Sequence, residues 1–136
     1  MLNLQKILII HSRKGDIKKL AQGIQEGAEN KGHQVEVLST KNKGKIVSFH
    51  TYDLVIVGSP TEGIFRGQCA DDVRKFLKKC KRTVGQKTSA FVTPRFFATN
   101  KALKKLMGEL EQLGCVVNDF KTLKSYSQAV DYGKSL

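Results

Sequence analysis

Two stretches constrain this chain most: Lys6-Ile-Leu-Ile-Ile-His11 and Asp53-Leu-Val-Ile-Val-Gly58, each an unbroken aliphatic run bounded by charged residues or glycine. A strand with one face in water alternates apolar and polar residues. These runs do not alternate, so both faces of each must be buried, which is the condition of inner strands in a parallel sheet. Parallel neighbours cannot be joined by a tight hairpin and need crossover connections, usually helices.

The residues between and after these runs supply such connections. Ile17, Leu20, Ala21, Ile24 and Ala28 recur at helical spacing with Lys18, Lys19, Gln22, Gln25 and Glu26 on the opposite side, and Gly32 is the stop. Gln34 to Leu38 alternates, which predicts a short strand nearer the sheet edge, and Ile46, Val47 and Phe49 predict a short, irregular crossover helix. After the turn Gly58-Ser59-Pro60 and a long loop over 61–68, Val73, Phe76, Leu77 and Cys80 mark a second helix. Ser89 to Thr93 is a fourth strand, and Ala102, Leu103, Leu106, Met107, Leu110 and Leu113 line a helix closed by Gly114. Cys115 to Leu123 reads as a fifth strand, and Ser125 with Gln128 as the capping box of a last short helix. Five strands alternating with helices specify an α/β fold with a parallel sheet covered on both faces. No repeat or linker interrupts the 136 residues, so a single domain over 1–136 is expected.

Three cysteines, Cys69, Cys80 and Cys115, are odd in number, with no C-x-x-C spacing and no nearby histidine pair. Reduced structural thiols are expected, without a disulfide framework or a metal site. The apolar run after Lys6 is too short for a signal-peptide core or a membrane span, so a cytoplasmic protein is expected. Charge is the unusual quantity: 24 Lys and Arg against 12 Asp and Glu give +12. That balance suits an acidic partner without saying which. The lysines fall on the exteriors of helices that lie on different sides of the sheet (Lys18 and Lys19; Lys75, Lys78 and Lys79; Lys101, Lys104 and Lys105), with no recognisable RNA or DNA module, which argues against a specific nucleic-acid site.

Ligands of open parallel α/β sheets bind beyond the carboxyl ends of the strands, here the loops over 11–17, 59–68 and 94–100. The first loop, Ser12-Arg-Lys-Gly-Asp16, leads into a helix N-terminus, where unpaired N–H groups and the helix dipole favour an anion. Neither G-x-x-x-x-G-K-[ST] nor G-x-G-x-x-G is present. Asp16 reads first as a helix N-cap, His11 as a hydrogen-bonded core residue and Cys69 as a structural thiol. Phe96 and Phe97 would either close the core over the strand ends or stack on a flat ligand. A phosphoacceptor receiver domain is excluded, because Ser12-Arg13 and Gly58-Ser59 stand where its acidic residues are needed.

Lys6-Ile-Leu-Ile-Ile-His-Ser12, Lys14-Gly-Asp-Ile17, Tyr52-Asp-Leu-Val-Ile-Val-Gly-Ser-Pro-Thr61 and Ala90-Phe-Val-Thr93, in that order and with the ending Ala129 to Leu136, resemble the flavodoxin family over essentially the whole chain. The resemblance implies a three-layer flavodoxin-like fold of strand order 2-1-3-4-5, bound FMN, and electron transfer or flavin-dependent redox chemistry. It assigns the FMN phosphate to Ser12, Arg13, Lys14, Gly15, Asp16 and Ile17. The ring falls to Pro60, Thr61, Glu62, Gly63 and Phe65 and to Pro94, Arg95, Phe96 and Phe97. No residue stands out as a catalytic acid or base, so an electron carrier is expected rather than a substrate-specific oxidoreductase. The chain departs from the family where Lys14, Asp16 and Ile17 replace the usual Thr, Asn and Thr, and neither ring loop holds a Trp or Tyr. Its basic charge, in a family that is generally acidic, implies an acidic redox or regulatory protein partner. A second expectation is a flavodoxin-fold protein that has lost FMN and serves as a basic binding module for such a partner.

Overall fold

Side chains of the inner strands sort by parity into two cores, and the rest of the fold follows from that. In a computed structural model describing residues 4–42, 44, 46–63 and 65–136, the strands are β1 (Lys6–His11), β2 (Gln34–Ser39), β3 (Leu54–Pro60), β4 (Lys87–Thr93) and β5 (Val116–Thr122). The helices are α1 (Ile17–Asn30), α2 (Asp71–Lys78), α3 (Thr99–Gln112) and α4 (Tyr126–Lys134), with 3₁₀ turns at Phe49–Thr51 and Phe96–Ala98. All pairings are parallel and the order is β2-β1-β3-β4-β5. This is the flavodoxin-like architecture, with β2 and β5 as edges.

Leu8 and Ile10 of β1 join Val55 and Val57 of β3 and Ala90 and Val92 of β4 on one face, under Val73 and Leu77 of α2 and Leu103, Leu106 and Leu110 of α3. Ile7, Ile9, Leu54, Ile56 and Phe91 point the other way, onto Ile17, Leu20, Ala21 and Ile24 of α1 and Ala129 and Tyr132 of α4. Successive residues of a strand face opposite sides, so an unbroken aliphatic run fills two cores at once. Each fully buried Leu or Ile contributes about 1.5–3 kcal/mol.

Helix stops fall where glycine can take a left-handed conformation: Gly32 (φ +91°) follows α1 and Gly114 (φ +83°) follows α3. The capping box of α4 forms with one change of partner. Ser125 Oγ accepts from the Gln128 N–H at 3.2 Å, but the Gln128 side chain accepts from the Lys124 N–H at 2.8 Å. The crossover between β2 and β3 is reduced to the single turn at Phe49–Thr51. Val47 and Phe49 are buried while Ile46 is exposed, so apolar content in this segment does not make a helix.

Helices α1 and α4 cross closely because glycines meet there. A Cβ on Gly27 would lie 2.1 Å from the Val130 carbonyl, and one on Gly133 would lie 2.2 Å from the Ile24 carbonyl. Gly27 therefore belongs to the helix–helix contact, a role that a one-helix amphipathic reading does not assign. Among the described residues no helix is long and apolar enough to cross a membrane, and no group of His, Cys, Asp and Glu is placed to hold a metal ion.

Candidate functional site

The loops after β1, β3 and β4 meet at the carboxyl ends of their strands. Lys14 in the first loop is ion-paired to Glu62 in the second at 3.4 Å, and a Cβ on Gly15 would lie 3.8 Å from Pro60. The second loop is pinched shut by mutual backbone bonds between Glu62 and Gln68, of 2.8 and 2.9 Å. It is joined to the third by the Thr61 N–H donating to the Thr93 carbonyl at 3.3 Å, and by Lys101 Nζ donating to the Phe65 carbonyl at 3.4 Å. Gly67, at φ +58°, makes this closure possible, since a Cβ there would lie 2.3 Å from the Ala98 carbonyl.

The first loop divides into two halves. In its opening half the donors are engaged: the Ser12 N–H donates to the Gly58 carbonyl at 3.0 Å and the Lys14 N–H to Ser12 Oγ at 3.0 Å. The Arg13 N–H is shared between Thr40 Oγ1 at 3.1 Å and Asp72 Oδ2 at 3.0 Å. Asp72, in the first turn of α2, reaches across the sheet end to take the Ser12 hydroxyl at 2.8 Å and the Thr40 hydroxyl at 2.6 Å. Burial works against its ionisation, but hydrogen bonds from Thr40, Arg13 and Ser12 outweigh that and hold the carboxyl below the usual 3.8. The protein thus places its own carboxylate against the donors of the loop's first half.

In the closing half, the N–H groups of Gly15, Asp16 and Ile17 have no acceptor among the described residues. Asp16 occupies the N-cap position of α1, yet its carboxylate makes no capping bond. The Ile17 side chain is fully buried in the core, so only its backbone is available to a ligand. His11 is buried, its Nδ1 donating to the Ser12 carbonyl at 2.8 Å, and burial lowers its pKa below 6.5.

The second and third loops are built differently. Phe65 is 70% exposed and Phe97 81% exposed, and their rings lie parallel within 6° with centroids 6.5 Å apart. Phe96 is also exposed and takes a left-handed φ of +45°, so neither it nor Phe97 closes the core. A flat ring between two aromatic rings needs about 7 Å, twice a carbon–carbon contact distance, so this pair would part slightly to admit one. In the second loop Thr61 is only 4% exposed, and its hydroxyl has no hydrogen-bond partner among the described residues. An unpartnered buried hydroxyl is costly unless something supplies the bond. Pro94 and Arg95 are exposed on the third loop, and Gly63 is exposed in the second with φ +82°.

Asp72 is the residue that sequence reasoning missed. The signal present was an acidic pair, Asp71-Asp72, at the start of a helix, which its dipole alone accounts for. Its bond to Ser12 spans 60 residues of chain.

The comparisons agree with this fold. A family model described as a flavodoxin domain matches residues 7–128. Flavodoxin 1 from Bacillus cereus superposes with a TM-score of 0.73 at 20% identity, covering 94% of each chain. The two-electron reduced flavodoxin of Megasphaera elsdenii gives 0.72 at 15% identity, covering 94% of this chain and 96% of that one. The flavodiiron protein of Giardia intestinalis gives 0.64 at 19% identity, with 96% of this chain matching 34% of that protein. No curated protein sequence matches significantly.

Proposed function

The chain belongs to the flavodoxin family, and on that premise we propose that it binds FMN at the three joined loops and works as an electron carrier. The observation that carries this reading is the convergence of unmet binding capacity at one sheet end. Three N–H groups with no acceptor among the described residues, of Gly15 to Ile17, lead into α1; a Thr61 hydroxyl, likewise without a partner there, lies in the second loop; and two parallel exposed phenylalanines stand on the second and third. An anion at a helix N-terminus satisfies the first, and a planar heteroaromatic ring with polar edge atoms satisfies the others. The residues present therefore fit the group.

In this reading the N–H groups of Gly15, Asp16 and Ile17 and the Lys14 ammonium hold the phosphate. Asp72 does not touch it, but fixes Ser12 and Arg13 so that the loop keeps its shape. Thr61, Phe65 and Phe97 hold the ring, while the Glu62–Gln68 closure orients the second loop. FMN, when bound, supplies the electron-accepting chemistry; the chain supplies position and field. Arg66, Arg95 and Lys101 are exposed beside the ring loops and favour added negative charge, so the bound flavin is expected to be easier to reduce than in an acidic flavodoxin. The same cations suit an acidic redox partner, with association that weakens as salt rises. Three free cysteines fit a reducing, cytoplasmic setting; burial pushes the thiols of Cys69 and Cys115 up to about 11 and that of Cys80 to about 12.

The test is a fluorescence-quenching titration of FMN into the purified apo-protein, repeated with riboflavin. Binding of FMN, much weakened without the phosphate, is the expected outcome. If neither flavin binds, the redox reading is overturned.

A further inference from the structure

A cleft of about 290 Å³ opens on the other side of Asp72, between the segment after β2 and the outer face of α2. Its lining includes Arg13, Thr40, Asn42, Lys75 and Lys79, above an apolar floor of Val47, Phe76 and Cys80. Lys75 and Lys79 stand one helical turn apart, and Arg13 joins them from the first loop. None of these three cations has a carboxylate partner among the described residues; the ion pairs found there are Lys14–Glu62 and Arg74–Asp71. Asp72 is the one acidic group in the lining, and Ser12, Thr40 and the Arg13 N–H already occupy its oxygens. Three cations against one engaged carboxylate leave a net positive cleft with a buried threonine and an amide as further polar groups.

We propose that this cleft is a second ligand site, distinct from the three-loop site, that takes a small organic phosphate. Its anionic group lies on Arg13, Lys75 and Lys79, and its apolar part covers Val47 and Phe76. Concavity separates this feature from the lysines of α1 and α3. Cations converging on a shared hollow hold an anion with several charge-assisted bonds at once, which a solvated helix face does not. The apolar floor is what selects an organic phosphate over the inorganic ion.

Phenyl phosphate is the probe, titrated calorimetrically into the full-length protein, with inorganic phosphate in parallel. Amide NMR shifts on the unmutated protein locate the probe. The expected result is binding of phenyl phosphate that perturbs Arg13, Asn42, Lys75 and Lys79, is stronger than that of inorganic phosphate, and weakens about tenfold in Lys75→Gln/Lys79→Gln. The control Lys104→Gln/Lys105→Gln, on α3, removes the same charge and should change affinity less than about twofold. Absent binding, equal affinity for inorganic phosphate, equal losses in the two double variants, or shifts confined to 61–68 and 94–98 would each overturn the proposal. FMN titrated into the phenyl phosphate-saturated protein keeps the two sites apart. Competition between them overturns the second site, whereas failure of FMN alone overturns only the function proposed above.

Discussion

The two ends of the candidate site are built on opposite plans. Around the opening half of the first loop, the backbone N–H groups and the Ser12 hydroxyl all have partners, and those from outside the loop come from three distant segments: Gly58, Thr40 and Asp72. Around the second and third loops, a buried hydroxyl is unpartnered among the described residues and three large aromatic rings, Phe65, Phe96 and Phe97, face solvent. A saturated network stabilises the fold whether or not a ligand is present, while unmet capacity is stable only in the sense that the surrounding scaffold tolerates it. Side-chain removals should therefore separate: loss of Asp72 lowers stability, whereas loss of a ring from the second or third loop lowers binding.

The largest effect is expected from Asp72→Ala, which leaves the Ser12 and Thr40 hydroxyls without their acceptor and the Arg13 N–H with Thr40 Oγ1 alone. A loss of about 2–3 kcal/mol in urea unfolding at neutral pH is expected, and a loss below about 0.5 kcal/mol would erase the contrast drawn above. Next comes Gly67→Ala, where a Cβ would approach the Ala98 carbonyl at 2.3 Å in a left-handed backbone. It should cost about 1–2 kcal/mol and weaken FMN as well, because it forces the second loop from the third.

Phe97→Ala should do the reverse of Asp72→Ala. FMN affinity should fall about tenfold, from lost stacking and burial, while the melting temperature stays within about 2 °C of the parent. An equal loss of stability would mean that the ring is structural. The pH dependence sharpens the comparison further, since both perturbed acid–base groups of this end lie beside the first loop. His11, its pKa held below 6.5 by burial, binds fewer protons in the folded chain than in the unfolded one as pH falls from about 6.5 toward its folded value, so stability falls with pH over that window. Asp72, also lowered, keeps its contribution above its usual 3.8 and loses it as pH falls through its folded value. His11→Asn should flatten the first limb in a pH series of urea midpoints, and Asp72→Asn the second. Smallest of all, Lys14→Ala breaks an exposed pair with Glu62 and should change stability by less than about 0.5 kcal/mol.

Much of the fold was legible because its signals are local. The aliphatic runs of β1 and β3, the helical spacing of Leu103, Leu106 and Leu110, and glycine at 32 and 114 each follow from the residue and its neighbours. The site was legible as a set of loops, since an α/β sheet puts its strand ends together whatever the loops contain. Inside the loops, legibility stopped at side-chain partners. Asp16 has the composition of an N-cap and makes no capping bond, and Phe97 has the composition of a core residue and is exposed.

What the sequence determined by itself is therefore the sheet, its coverage on both faces and the three loops at its carboxyl ends, because periodicity and backbone preference are properties of short windows. Only the tertiary structure decided that Asp72 ties down the first loop, that Gly27 and Gly133 let two helices touch, and that Arg13 turns toward a cleft with Lys75 and Lys79. Each of those depends on groups brought together across dozens of residues, where a hydrogen bond or close contact is set by the packing of whole elements and leaves no periodic trace in the chain.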